Sequence, residues 1–246
     1  MKATSLISVV GVALLVLAMT LRQAYSETVA RPNAIVRIGT QSVNIPAPVG
    51  FIETSNLSKE LWSEALVLGS GNARVIAHFV TQKKFAEYTA GRSVQFDNYL
   101  LVKTPKQTEA IVATQAQFDH LRASTVAMQS DLAKRVEPRL ASELKRISTD
   151  LSSRQATTIN VQIGEVVPVS IDRNESRLLT YTVLVQTRVN EGITSTSLTQ
   201  IVSTGYCLVA GKLVMLAAYR QFHSPEDLQT ARAQITSWAS AVLEAN

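Results

Sequence analysis

Cysteine is nearly absent. Cys207 stands alone in 246 residues, which excludes a disulfide scaffold and any C-x-x-C pair for metal or redox work. Charge is sparse too, with 17% Asp, Glu, Lys and Arg, and glycine and proline number only 10 and 7. Those shortages exclude collagen, low-complexity arrays and acidic tails, while 46% hydrophobic residues are ample for a core. H-E-x-x-H, G-x-S-x-G and the Walker sequence are all missing. Gly69-Ser70-Gly71-Asn72-Ala73-Arg74 starts like a dinucleotide loop but has Arg74 in place of the third glycine and is followed by a strand pattern, so it reads as a turn. Ser142-Glu143-Leu144-Lys145 matches S-x-x-K without its companion sequences.

What is present begins with an export pattern. Lys2 precedes an uncharged apolar run from Leu6 to Leu21, and Ala24-Tyr25-Ser26 supplies small residues for cleavage before Glu27. The expectation is a signal peptide over 1–26 and an exported, periplasmic or extracellular chain. The alternative is an uncleaved anchor, although this run covers only about 24 Å of a hydrocarbon core of roughly 30 Å. Cleavage removes two of the basic residues and no acid, so the net charge falls from +5 to +3. So small a surplus, unclustered, excludes a nucleic-acid footprint.

Residues 27–36 show no periodicity and read as a flexible leader, with folding expected from Arg37. Val36 to Ile45 reads as one strand, stopped by Pro46 and Pro48. A short helix follows around Leu57, Leu61 and Ala65, then strands over 73–80 and 93–103 with one helical turn at 85–88 between them. Thr104-Pro105-Lys106-Gln107 has the letters of a capping box with proline at N1, which predicts a helical insertion over 105–155. Pro138 interrupts its apolar stripe. From Thr157 the period becomes two, in four successive strands joined by Arg173-Asn174-Glu175-Ser176, Asn190-Glu191-Gly192 and Ala210-Gly211-Lys212. Ser224-Pro225-Glu226-Asp227 then opens a last helix with a stripe of Leu228, Ala231, Ile235, Trp238, Ala239 and Val242.

These elements define an α+β fold: an antiparallel meander with a C-terminal amphipathic helix and a long helical insertion, in a single domain over 37–246. The proline-rich entry into Gly50-Phe51, the meander, and a final helix carrying Trp238 and ending Ala245-Asn246 together resemble the PsbP/Mog1-like sandwich family. The resemblance spans 37–103 and 157–246, and the helical insertion departs from it. It implies a noncatalytic binding or assembly module and transfers no functional residue.

No catalytic, cofactor or metal residue is expected. His78, His120 and His223 are isolated in sequence, and Asp172, Glu175 and Asp227 fall in turns or at a helix start. The insertion is the expected partner surface, through Phe118, Leu121, Met128 and Leu132, for self-association or another envelope protein. Its second half carries Lys134, Arg135, Arg139, Lys145, Arg146 and Arg154, a set suited to anionic headgroups, but interleaved acids supply local ion pairs. The functional expectation is an exported noncatalytic binding or assembly module of the cell envelope. The alternative is an envelope hydrolase whose site joins a nucleophile, one of the histidines and an acid.

Overall fold

The computed structural model describes residues 33–68, 72–129, 149, 159–191 and 194–246. The signal sequence, the glycine turn at 69–71, Leu132, Pro138, the S-x-x-K match and the basic half of the insertion lie outside them. β1 (Asn33–Ile38) and β2 (Gln41–Pro46) form an antiparallel hairpin. β1 thus opens inside the stretch expected as leader, and the single strand expected from Val36 to Ile45 is two. The turn sits at Gly39, whose φ is +59°, and a Cβ there would lie 2.2 Å from the carbonyl oxygen of Glu109. Only glycine fits both demands.

Among the described residues the main sheet has seven strands in the order β3-β4-β5-β9-β8-β7-β6. β3 (Phe51–Glu53), β4 (Ala73–Thr81) and β5 (Asn98–Pro105) form one wing. β6 (Ile159–Glu175), β7 (Leu178–Glu191), β8 (Thr194–Val209) and β9 (Lys212–Gln221) are the expected meander. All pairings are antiparallel, and the β5–β9 pair joins the two wings through contacts such as Leu101 with Ala217. α1 (Lys59–Val67), capped by Ser58 Oγ accepting from Leu61 N at 3.2 Å, covers one face together with α2 (Gln82–Thr89). Leu61, Ala65, Val75, Val80, Phe96 and Leu101 form the core there.

The opposite face carries α4 (Pro225–Glu244) and the β1–β2 hairpin. Asp227 Oδ2 accepts from Ser224 N and His223 N at 3.0 Å each, which satisfies two amides at the helix start. Ala231, Ile235, Trp238, Ala239 and Val242 are buried, as their spacing predicts. Trp238 meets Phe79 edge-on at 5.7 Å and donates through Nε1 to Pro46 O at 2.8 Å, locking helix, sheet and hairpin together. Asn246 closes the same corner: its side chain accepts from Asn44 N at 2.9 Å and donates to Asn44 O at 2.8 Å.

The helix expected from Pro105 does not start there. Thr104 is buried inside β5 and donates to Leu213 O at 3.2 Å, so sheet pairing wins over the local capping letters. A single 3-10 turn at Lys106–Thr108 follows. α3 (Gln115–Gln129) begins ten residues later, at a second T-x-x-Q. Here Thr114 Oγ1 accepts from Gln117 N at 3.2 Å while Gln117 Oε1 accepts from Thr114 N at 2.8 Å. The strap between the 3-10 turn and α3 is tied down by the buried Lys212, whose ammonium donates to Glu109 O at 2.9 Å and Ile111 O at 2.7 Å. Arg74 grips Glu109 through both carboxylate oxygens, at 2.9 and 3.1 Å.

Candidate binding groove

β6 is the outermost strand of the sheet, and its pairing with β7 shifts register three times. The last shift lies between Ile171 and Arg173, which face Tyr181 and Thr180, so Asp172 is the extra residue of a bulge. Consecutive residues of a regular strand point to opposite faces. The bulge lets Asp172 and Arg173 line the same groove, against Gln229, Arg232, Ala233, Thr236, Ser237 and Ser240 of α4, around a volume of about 510 Å3.

Asp172 forms the floor. Its side chain is 4% exposed and takes donors on both oxygens: Ser170 Oγ at 2.6 Å and Arg232 Nε at 2.5 Å on Oδ1, Thr182 Oγ1 at 2.8 Å on Oδ2. Thr182 Oγ1 also lies 2.9 Å from Ser203 Oγ, carrying the network into β8. Arg232 is 43% exposed and makes no hydrogen bond other than that to Asp172 among the described residues. Its terminal nitrogens are therefore available to a ligand, while Nε fixes the plane of the guanidinium from below. Arg173, at the rim, pairs with Glu175.

Asp172 was expected to be a solvated turn residue, and it is instead a buried hub. Only the bulge would have revealed that, and no residue pattern in the sequence announces it. The expected partner surface is also redistributed. Phe118 is 2% exposed, so it is a core residue and contributes nothing to a free surface. Leu121 is half-buried, Met128 is 46% exposed, and Leu132 lies outside the described residues. α3 docks against the β6–β7 turn instead, with Gln115 Nε2 donating to Ser176 O at 2.5 Å and Arg122 Nη1 to Asn174 Oδ1 at 2.7 Å.

The histidines occupy separate elements. His120 is exposed on α3, and His223 is exposed just ahead of α4. His78 is fully buried in β4. Thr54 Oγ1 lies 2.7 Å from His78 Nδ1 and 3.3 Å from His78 O. Thr54 Oγ1 thus bonds Nδ1, with either atom able to donate, and Nε2 is buried without a partner among the described residues. Burial lowers the pKa of His78 to about 3, so the ring is neutral. Cys207 is the buried strand thiol expected, its pKa raised by burial to about 12. Among the described residues no group of three or more His, Cys, Asp or Glu is placed to hold a metal ion.

A second feature unannounced by the sequence is a tyrosine layer on the α1–α2 face. Tyr99 and Tyr219 stack at 4.7 Å, and Tyr181 and Tyr206 lie 6.2 Å apart. Burial raises the pKa of Tyr99, Tyr181 and Tyr206, which keeps these phenols protonated. Lys103 Nζ donates to Leu68 O at 3.0 Å and Tyr219 Oη at 3.3 Å, so its charge is satisfied internally. Tyr99 is buried, whereas Tyr181, Tyr206 and Tyr219 are partly exposed.

No protein-family model matches the sequence, and no curated protein matches it. Among solved structures the chain is similar to the Ran-binding protein Mog1p of Saccharomyces cerevisiae, at 12% identity over 87% of this chain and 89% of that one, with a TM-score of 0.28. A Mog1 E65A mutant gives 12% identity over 87% and 90%, with a TM-score of 0.29. The likeness is a loose one at the level of the fold, without a specific motif, and too distant to transfer a partner or a site. The chain's α+β class rests on its own strands and helices.

Proposed function

We propose that this chain is an exported, noncatalytic binding module of the cell envelope, and that the groove between α4 and β6 is where it receives its partner. The observation that carries the reading is Arg232, held in place by a buried acid yet with its terminal nitrogens unspent in a shallow, solvent-open groove. The neighbouring hydroxyls support binding over catalysis. Ser170, Thr182 and Ser203 direct theirs to Asp172 or to one another, and Asp172 is saturated with donors. Such a set holds a shape; it has no free base to activate a nucleophile.

Export rests on the Lys2 to Ser26 pattern, and N-terminal analysis of protein from its host should begin at Glu27. An intact Met1 in the membrane fraction favours the anchor. No helix among the described residues is long and apolar enough to cross a membrane. The groove is tested by crosslinking in the native envelope, with and without Ala233→Trp, which fills the groove from an exposed position. Loss of the crosslinked partner at unchanged melting temperature supports the reading, and an unchanged crosslink overturns it.

A further inference from the structure

The groove is more specific than a generic concavity. Its α4 wall runs from Gln229 through Arg232, Ala233 and Thr236 to Ser240, one face of the helix at three- and four-residue spacing. Eleven helical rises make this wall about 16 Å long, the length of about five residues of extended chain. Thr236 and Ser240 make no side-chain hydrogen bond among the described residues, and Ala233, between Arg232 and Thr236, leaves room for a main chain to approach. Among the described residues no aromatic side chain lines the groove, so they offer no flat surface on which a sugar ring would stack.

The opposite wall restricts what can enter. β6 is a sheet edge, but Pro168 has no amide to donate and the register shifts at Pro168–Ser170 and Ile171–Arg173 break its ladder. A second copy of β6, or any regular strand, would meet an interrupted edge. Recognition then falls to side chains. Among the described residues two guanidiniums and one carboxylate line the groove, and that carboxylate is at the bottom with both oxygens occupied.

Resting on the groove assignment above, we infer that the ligand is an extended peptide of about five residues bearing a carboxylate side chain, which the terminal nitrogens of Arg232 bind two-pronged while Thr236 and Ser240 meet its main chain. Arg232 is a specificity residue and Asp172 its positioning residue: Asp172 takes Nε and so turns the other edge of the guanidinium toward the ligand.

The test uses the mature chain and two fluorescein-labelled pentapeptides, one alternating glutamate with alanine and the other glutamine with alanine, read by anisotropy at physiological salt. The glutamate peptide should bind about tenfold more tightly, the discrimination expected of one charge-assisted pair. Arg232→Gln should erase the preference. Because that change also deprives Asp172 of a partner, Gln229→Glu is the second variant: exposed and one helical turn from Arg232, it sets a repelling charge in the groove at unchanged size without touching the floor. It should weaken only the glutamate peptide. Equal binding of the two peptides, or binding of neither, overturns the inference. Loss of the envelope crosslink in Ala233→Trp still tells whether the groove assignment itself survives that failure.

Discussion

One helix serves two unlike regions of the molecule. The inner stripe of α4 meets a dry core built from Phe79, Leu100, Val214 and Leu216, where Trp238 is the keystone. Its outer stripe meets the bulged end of β6, where the contacts are a buried carboxylate, three hydroxyls and a guanidinium. The dry region places each group by packing, which is tolerant of detail and strong in sum. The polar region places each group by hydrogen bonds of fixed direction, which suits recognition and adds less to stability. Stability and recognition are thus separated by half a turn of one helix.

That separation orders the mutational outcomes. Trp238→Ala has the largest expected effect, about 3–5 kcal/mol, because it opens a ring-sized cavity and also strands Pro46 O. Urea denaturation checks it; a loss below that of a surface substitution means the two regions are not energetically distinct.

His78 comes next, through pH. Its folded pKa of about 3 lies below the ordinary value of 6.5, so the fold prefers the neutral ring. The stabilisation is complete above about pH 6.5 and drains away as pH falls toward the folded value, at about 1.4 kcal/mol per unit. Between pH 7 and pH 4 this amounts to about 3 kcal/mol. His78→Leu removes the titration and should flatten that part of the stability curve; an unchanged slope places the acid sensitivity elsewhere.

Asp172→Ala belongs to the polar region and should cost about 1–3 kcal/mol, since Thr182 can turn back to Ser203 while Ser170 and Arg232 lose their acceptor. Arg232 is too exposed for the ion pair itself to dominate. The diagnostic result is a loss of the pentapeptide preference larger than the loss of stability would explain.

The two regions also differ in how legible they are from sequence. The dry region was readable: β7, β8 and β9 alternate with period two, short glycine links join them, and Trp238 recurs at helical spacing with Ile235, Ala239 and Val242. Where reading failed, a long-range pairing overrode a local signal. Thr104 carries capping letters, yet β5 is committed to β4 and β9 before any helix can begin. Val36 and Ile38 stand at even positions and Val43 and Ile45 at odd ones, so the alternation changes phase across Gly39, and that break marks the hairpin that places Val36 beside Val43. Phe118 looked like part of an exposed stripe because periodicity defines a helix face without saying what packs on it. The groove was least legible, since its geometry depends on one extra residue in β6.

The smallest expected effects come from one chemical change made at two places. Ser58→Ala removes an N-cap: Ser58 Oγ accepts from Leu61 N at 3.2 Å and is buried, so no water replaces it, and the cost should be about 1 kcal/mol. Ser240→Ala removes the same hydroxyl from the groove wall, where it has no partner among the described residues, and the cost should stay within about 0.5 kcal/mol. Ligand binding should reverse the ranking. Ser240→Ala should weaken the glutamate pentapeptide, whereas Ser58→Ala, on the far face of the sheet, should leave its affinity unchanged once the variant is folded. If Ser240→Ala costs as much stability as Ser58→Ala, the outer stripe of α4 contributes to holding the domain together, and the division between a packing stripe and a recognition stripe fails at the residue where it is most directly measured.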